Sequence, residues 1–421
     1  MDNLYVKRNI LCIDLKSFFA SCECVERGLD PFTTPLVVCD PTRDGAITLA
    51  VTPYLKKHGV PSRGRAYQLP KDLNIIKVPP RMKLYQQKSM EVIKVYLEFV
   101  SEEDLHIYSI DECFLDITSY LKMYGKSDYE LALDILKRVE KKTGLTATAG
   151  IGPNMLLAKV AMDIEAKHCK DNIAYWTYDD IKTKLWSIKP LSKMWGIGPR
   201  MEAHLNELGF HSVGDVAVSS KEALKKRFGV LGEELWYHTN GIDLTRISDL
   251  KHQMVKEKSI SHSQVLFKDY YDYNITIIIY ELIDRLCRQL RAKKQMTGLI
   301  AFGIRYSRAI GGGFYHSSKL SRPTDDANEI YRACMVIFDK YYSNNYPIRM
   351  VMISYGKLQD NSDIQLNLFE EFETKVKERS INNAVDNIKD KFGANSLLTA
   401  SSLLEDATIR ERNNKIGGHD A

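Results

Sequence analysis

The 421-residue sequence lacks the features that mark secreted, membrane-spanning or zinc-stabilised proteins. Its eight cysteines include no Cys-x-x-Cys pair, which argues against a disulfide framework and a structural zinc site. The longest apolar stretch, around residues 275–280, is much shorter than the roughly 18 residues that a membrane span needs. No basic segment followed by a long apolar one opens the chain, so no signal peptide is predicted. We therefore expect a cytoplasmic protein with reduced thiols and no membrane partner.

Charge is balanced overall but not along the chain. The formal net charge of +5 is too small to establish a polyanionic partner. Residues 251–357, however, contain seventeen Lys and Arg against nine Asp and Glu, and the rest of the chain is slightly acidic. One basic module on an acidic body is typical of a protein that grips a phosphate backbone, although a solvated charged surface would have the same composition.

The length predicts about three domains, and the pattern changes twice along the chain. Short apolar runs alternate with helical patterns up to about residue 175, which indicates an α/β or α+β core. Short helices separated by small turns begin at Trp186, and residues 245–258 are polar and predict a linker. Residues 259–355 follow the order strand, helix, strand, strand, helix, strand of the split βαβ motif. A last helix is predicted to stop at Gly393.

Three acids occupy positions that suggest chemistry. Asp14 ends an apolar strand, and Asp111 and Glu112 occupy the tip between two short strands. If these strands are neighbours, three carboxylates converge, and like charges so close together call for a hard divalent cation. Two magnesium ions held in this way are typical of phosphoryl and nucleotidyl transfer. The alternative for any single acid is that it merely caps a turn, which is our interpretation of Asp116.

The sequence around these acids carries a family resemblance. Residues 14–23 (DLKSFFASCE) and 108–114 (YSIDECF) closely resemble the two acidic motifs of Y-family translesion DNA polymerases of the UmuC/DinB kind. Residues 150–163 (GIGPNMLLAKVAMD) resemble that family's third motif. The resemblance runs from about residue 9 to 369 and is nearest to the UvrX type of Gram-positive bacteria.

The resemblance implies an α+β multidomain fold shaped as a right-hand polymerase. The palm would comprise residues 1–18 and 79–175, the fingers 19–78, and a helical thumb with a helix-hairpin-helix 176–244. A linker at 245–258 would lead to a βαββαβ little-finger domain at 259–357. Residues 358–421 would form a tail with a clamp-binding peptide and a C-terminal helix.

Several residues acquire expected roles from the resemblance. Asp14, Asp111 and Glu112 would be catalytic and would hold two Mg²⁺ ions, with the backbone carbonyl of Leu15 as a further ligand. The expected nucleotide-binding residues, by backbone N–H groups, side chain or both, are Phe18, Phe19, Lys56 and Lys159. Phe19 matches the aromatic steric gate against a ribose 2′-hydroxyl; the alternative is a core aromatic residue at the start of a helix.

The phosphate-binding lysine of the fingers is open between two neighbours. Anchoring the family pattern on Gly59 gives Lys56, which we prefer, whereas anchoring it on Tyr54 gives Lys57. Pro53 then stands where some relatives have an aromatic residue near the incoming base.

Two further motifs suggest partners. Gly196, Ile197 and Gly198 resemble the hairpin of a helix-hairpin-helix, whose backbone N–H groups approach a DNA phosphate; a plain helix–turn is the alternative. Residues 365–369 (QLNLF) resemble the pentapeptide by which bacterial polymerases bind the sliding clamp, with Gln365, Leu366, Leu368 and Phe369 as contacts. The alternative is a short strand that packs on its own domain.

The expected function is error-prone translesion synthesis in the SOS response to DNA damage. The protein would add deoxynucleoside triphosphates to a primer–template by two-metal nucleotidyl transfer. The alternative is a catalytically dormant accessory protein that binds DNA and the clamp. A nuclease could also use metal-binding acids, but it would not account for Phe19, Lys159 and the clamp peptide together.

Overall fold

The computed structural model describes residues 4–252, 258–342, 345–361 and 372–420. The chain divides into two units, the first comprising residues 1–254 and 419–421 and the second residues 255–418. Within the described ranges, no helix combines the length and the apolar character needed to cross a bilayer.

The first unit mixes strands and helices up to β8 and is helical after it. In chain order its elements are β1 (Ile10–Leu15), α1 (Phe18–Glu26), β2 (Leu36–Val38), β3 (Ala50–Val51), α2 (Pro53–Lys57), β4 (Ile76–Val78), α3 (Met82–Tyr96), β5 (Leu105–Ile107), β6 (Glu112–Asp116), α4 (Tyr120–Tyr124), α5 (Asp128–Thr143), β7 (Ala147–Gly152), α6 (Met155–Ile164), β8 (Ile173–Tyr175), α7 (Pro199–Glu207), α8 (Val213–Ala217), α9 (Lys221–Phe228), α10 (Val230–Thr239) and α11 (Ile247–His252).

A five-stranded sheet in the order β5-β6-β1-β7-β8 forms the predicted palm. All its pairs are antiparallel except β7 with β8. Because side chains alternate along a strand, Leu11 and Ile13 of β1 join the core formed with α1, α3 and α5, whereas Ile10 and Cys12 join the core formed with α6. The sheet is thus covered on both faces, and Asp14 follows Cys12 on the α6 side.

A glycine allows α6 to lie close to the sheet. A Cβ atom added to Gly150 in β7 would be 2.0 Å from the carbonyl oxygen of Ala158 in α6, a distance that no side chain can occupy. The close approach brings the next residue of α6, Lys159, within reach of the sheet's acidic end.

The predicted fingers contain a small sheet in the order β3-β2-β4, with a core of its own around Val37, Val51 and Leu55. Short helices α7–α10 follow, as expected for the thumb. The segment 245–258, predicted as a linker, contains α11 in its first half, and Ile247 of this helix is 2% exposed in the core that includes α6. Leu250 packs against the same core, so two apolar residues among polar ones dock this short helix.

The second unit has the predicted βαββαβ order. Its elements are β9 (Ser259–Tyr270), α12 (Asp272–Ala292), β10 (Gln295–Tyr306), β11 (Gly313–Thr324), α13 (Ala327–Tyr341), β12 (Ile348–Asp360), then α14 (Phe372–Phe392) and α15 (Ile409–Arg412). Two short strands near the end of the chain are β13 (Lys415–Ile416) and β14 (His419–Asp420). The antiparallel sheet has the order β11-β10-β12-β9, and α12 and α13 pack on its apolar face.

The tail folds onto the second unit, which the sequence pattern did not predict. Arg291 of α12 donates to Asp386 of α14 through Nε at 2.6 Å and Nη2 at 3.0 Å. Further along, the buried carboxylate of Glu281 accepts hydrogen bonds from the backbone N–H of Thr408 at 3.1 Å and from its hydroxyl at 2.9 Å. Polar contacts therefore hold the described part of the tail against α12.

A buried acid ties α1 to α3 in the first unit. Glu23 is fully buried and accepts hydrogen bonds from Arg81, at 3.0 and 2.7 Å, and from the Tyr85 hydroxyl at 2.7 Å. Burial opposes its charge, but Arg81, Tyr85 and Arg27 outweigh that effect and lower the pKa of Glu23 below its ordinary value. The first helix after β1 is therefore fixed by charge as well as by packing.

We expect Glu23→Gln to lower the free energy of unfolding of the first unit by about 2 kcal/mol at pH 7, because it removes the charge but keeps the shape. A carboxylate with a lowered folded-state pKa stabilises above its unfolded pKa, and that stability is lost as the pH falls through the folded value. The deficit should therefore shrink in acid. Urea unfolding followed by tryptophan fluorescence measures it, because all four tryptophans lie in the first unit.

The matched control is Glu26→Gln on the same helix. Glu26 is 34% exposed and pairs with Lys88 at 3.0 Å, so a change within about 1 kcal/mol is expected for this surface pair. Equal losses in the two variants would contradict a special role for Glu23.

Candidate active site

The three acids meet at one end of the palm sheet. In the β1–β6 pair Asp14 lies directly opposite Glu112, so both side chains are on the same face. The backbone N–H of Leu15 donates to the carbonyl of Asp111 at 2.9 Å, which holds the acidic tip against the end of β1. The expectation that these strands are neighbours is therefore confirmed.

Glu112 is neutralised by a lysine from α6. Its carboxylate oxygens lie 2.9 and 3.0 Å from Nζ of Lys159, and both side chains are about 10% exposed. Lys159 also pairs with Asp163 at 2.9 Å. Burial opposes the charge of Lys159, but Cys12, Asp163 and Glu112 together raise the pKa of its ammonium group above the ordinary value. Lys159, expected at the triphosphate, is thus committed to carboxylates.

Asp14 is the acid under the greatest electrostatic strain. Burial, with the added repulsion of Asp111 and Glu112, raises its pKa to about 6, against the opposing effect of Lys167, whose Nζ lies 3.5 Å from its carboxylate. A cation placed beside Asp14 would relieve this strain. Lys167 was missed in the sequence, although Lys159, Asp163 and Lys167 recur at the four-residue spacing of one helix face.

A cavity of about 350 Å³ opens beside these acids. Its lining includes six of the residues predicted for the site, namely Asp14, Leu15, Phe18, Phe19, Lys56 and Asp111. Lys57 does not line it. Desolvation by the surrounding protein lowers the pKa of the Lys56 ammonium group, and the negative charges of Asp14 and Asp111 oppose this shift. Glu112 and Lys159 are outside the lining, and Ser62 and Arg63 join it without having been predicted.

The two phenylalanines at the start of α1 are placed differently. Phe18 is 3% exposed in the core. Phe19 is half-buried and stacks on Tyr85, with ring centroids 4.4 Å apart and planes 16° apart. Because Tyr85 donates to the fixed Glu23, the ring of Phe19 rests on a rigid support at the cavity wall.

The cavity has the ligand chemistry of a divalent-cation site. Carboxylates of Asp14 and Asp111 suit hard cations, and the buried hydroxyl of Ser17, which lines the cavity, has no hydrogen-bond partner among the described residues. In the part of the chain that the structure describes, no three His, Cys, Asp or Glu side chains are grouped as around a metal ion, and Glu112 is engaged by Lys159 instead. Asp14 and Asp111 are the acids that face the cavity.

The hairpin of the thumb has the backbone that the sequence pattern predicts. Gly196 adopts a φ of 90°, in the left-handed region that favours glycine. Ile197 is buried, and Gly198 is the N-cap of α7. The start of this nine-residue helix has no side-chain cap, so its backbone N–H groups can meet a phosphate. The clamp peptide at 365–369 lies outside the described residues.

Comparisons with known proteins match most of the chain to models of one family. The model described as the impB/mucB/samB family matches residues 13–163, and the model of that family's C-terminal domain matches residues 257–368. The IMS family HHH motif matches residues 178–210, which include the thumb hairpin.

The curated relatives span almost the whole chain. The UV-damage repair protein UvrX of Bacillus subtilis (strain 168) is 39% identical, covering 99% of this chain and 98% of its own length. DNA polymerase IV 2 of the same strain is 32% identical, with 97% and 98% covered. DNA polymerase IV of Pelotomaculum thermopropionicum is 30% identical, with 96% and 97% covered. The chain therefore belongs to the impB/mucB/samB family and is a Y-family DNA polymerase similar to UvrX.

Proposed function

We propose that this polymerase is an error-prone translesion enzyme of the SOS response to DNA damage. The observation that carries the proposal is the cavity in which Asp14 and Asp111 face Phe19 and Lys56. A lining that combines carboxylates with a cation and an aromatic ring suits a metal-bound nucleoside triphosphate. The names of relatives, a UV-damage repair protein and DNA polymerases IV, support a role at damaged template in the bacterial cytoplasm.

The reaction proposed is nucleotidyl transfer. The 3′-hydroxyl oxygen of the primer attacks the α-phosphorus of the deoxynucleoside triphosphate, the bond to the β-phosphate breaks, and pyrophosphate leaves. Asp14 and Asp111, with Glu112 and the Leu15 carbonyl, would hold two Mg²⁺ ions. When bound, these ions would neutralise phosphate charge and favour ionisation of the hydroxyl. Phe18 and Phe19 would offer backbone N–H groups to the triphosphate, and Lys159 would remain beside Glu112 as its counter-charge.

The DNA and clamp partners are proposed from other parts of the chain. Backbone groups of Gly196, Ile197 and Gly198 would contact a DNA phosphate, and the basic residues of 251–357 would add a sequence-independent grip. Gln365, Leu366, Leu368 and Phe369 would bind the sliding clamp. A dormant accessory protein would use the same partners, but it would have no use for buried acids facing a cavity, so the enzyme is favoured.

Asp111→Ala is expected to lower primer extension by about 10³-fold, because it removes a carboxylate needed to position phosphate charge. DNA binding, measured by fluorescence anisotropy, should persist. The control is Asp116→Ala at the far end of β6, whose carboxylate accepts a hydrogen bond from the backbone N–H of Thr118 at 3.0 Å. Extension by a folded Asp111→Ala variant at the wild-type rate would rule out the assignment.

Phe19→Leu is expected to raise ribonucleotide incorporation relative to deoxyribonucleotide, because a smaller side chain leaves room for a 2′-hydroxyl. A tenfold change corresponds to about 1.4 kcal/mol of transition-state binding. Phe18→Leu is the matched control, since the Phe18 side chain is only 3% exposed and packs in the core. Single-nucleotide insertion kinetics measure both, and relaxed sugar selection in Phe18→Leu alone would move the gate by one residue.

Lys56→Ala is expected to raise the KM for deoxynucleotides by about tenfold, because it removes one solvent-exposed charged contact to phosphate. Lys57→Ala should leave KM within about twofold, since Lys57 lies outside the cavity lining. Steady-state insertion kinetics at saturating primer–template give the comparison. The reverse result would show that the fingers motif is anchored on Tyr54.

A further inference from the structure

The nucleotide cavity is lined by two cationic side chains, and only one of them has been given a role. Lys56 is the predicted phosphate contact, and Arg63 joins it from the same part of the fingers. The carboxylates of Asp14 and Asp111 belong to the same lining. No family motif quoted above includes residue 63, so the arginine is an observation of the structure alone.

The loop that carries Arg63 is anchored on both sides. Before it, Val60 is 4% exposed in the core of the fingers. After it, the backbone N–H of Gly64 donates to the hydroxyl of Thr48 at 2.8 Å, and the N–H of Thr48 donates to the carbonyl of Gly64 at 3.0 Å. Thr48 itself is buried. These contacts fix residues 61–64 so that Arg63 is held at the cavity while its side chain stays exposed.

The charges of the site leave a task for a second cation. A nucleoside triphosphate brings several negative charges, and Lys159 is already paired with Glu112 and Asp163. The guanidinium of Arg63 makes no ion pair with any described residue, and its planar fork can bind two phosphate oxygens at once, which an ammonium group cannot do.

We propose that Arg63 binds the triphosphate of the incoming nucleotide, beside Lys56. The two fingers residues then provide the cationic grip on the free nucleotide, while Lys159 stays with the palm carboxylates. The inference rests on the proposed nucleotidyl transfer, because it requires that the cavity take a nucleoside triphosphate. It adds a substrate-positioning residue to that reaction.

The test compares Arg63→Ala with Arg65→Ala. Arg65, two residues away, is also exposed, but its guanidinium donates to the carbonyl of Gly45 at 2.8 Å and it does not line the cavity. With primer–template DNA and Mg²⁺, Arg63→Ala should raise the KM for all four deoxynucleotides by about tenfold or more, which corresponds to about 1.4 kcal/mol. The kcat should stay within about twofold, as for a contact made equally in ground and transition states. Arg63→Lys should recover only part of the loss, and Arg65→Ala should retain the wild-type KM.

A binding measurement separates this inference from the proposed function. Deoxynucleotide affinity is measured on the complex with a dideoxy-terminated primer, which cannot react. Weaker binding by Arg63→Ala supports the inference even if the wild-type chain extends no primer, a result that would defeat the proposed catalysis alone. If the wild-type chain extends the primer and Arg63→Ala has an unchanged KM for deoxynucleotides, the inference is overturned while the proposed function stands. A loss confined to one templating base would also overturn it, because the arginine would then contact a base instead of the phosphates.

Discussion

The buried ion pair between Lys159 and Glu112 is the interaction on which the active site depends. Two charges that are about 90% buried are tolerated only because each neutralises the other, and removing either would leave an uncompensated charge in the interior. The pair exists because Gly150 lets α6 approach the sheet. It fastens α6 to the start of β6, and the pairing of β6 with β1 then sets Asp14 opposite Glu112.

This pairing gives the three acids different states. Glu112 is neutralised by Lys159 and does not line the cavity, whereas Asp14 and Asp111 do. Burial raises the pKa of Asp14 to about 6. A site with this imbalance favours a cation beside the two acids that line the cavity. The cations that line the cavity come from the fingers instead, at Lys56 and Arg63. Phe19 also lines the cavity, and its ring stacks on Tyr85, whose hydroxyl donates to the buried Glu23.

The second unit shows the same use of buried polar contacts for a different purpose. Its sheet and two helices follow the alternation of apolar residues, but the tail leaves several of its apolar side chains exposed, among them Leu403 and Leu404. Polar contacts tie the tail to α12 instead: α14 forms ion pairs such as Arg291–Asp386, and the segment after α14 donates hydrogen bonds to the buried Glu281. Directional contacts between distant residues therefore give the tail a defined position on α12.

The sequence by itself determined the positions of the three acids, the order of strands and helices, and the family, because these depend on local patterns. The patterns are an apolar run that ends at Asp14, an acidic tip at Asp111, and apolar residues that recur every two positions in strands or every 3.6 in helices. Tertiary structure decided the rest. Lys56 and Lys57 are adjacent in a five-residue helix, and only the packing of the fingers turns one of them to the cavity. Ile247 docks a helix within a segment predicted as a linker, and Arg63 reaches the site through a loop fixed by Thr48. Such outcomes depend on which residues far apart in the chain meet, and a local pattern carries no information about them.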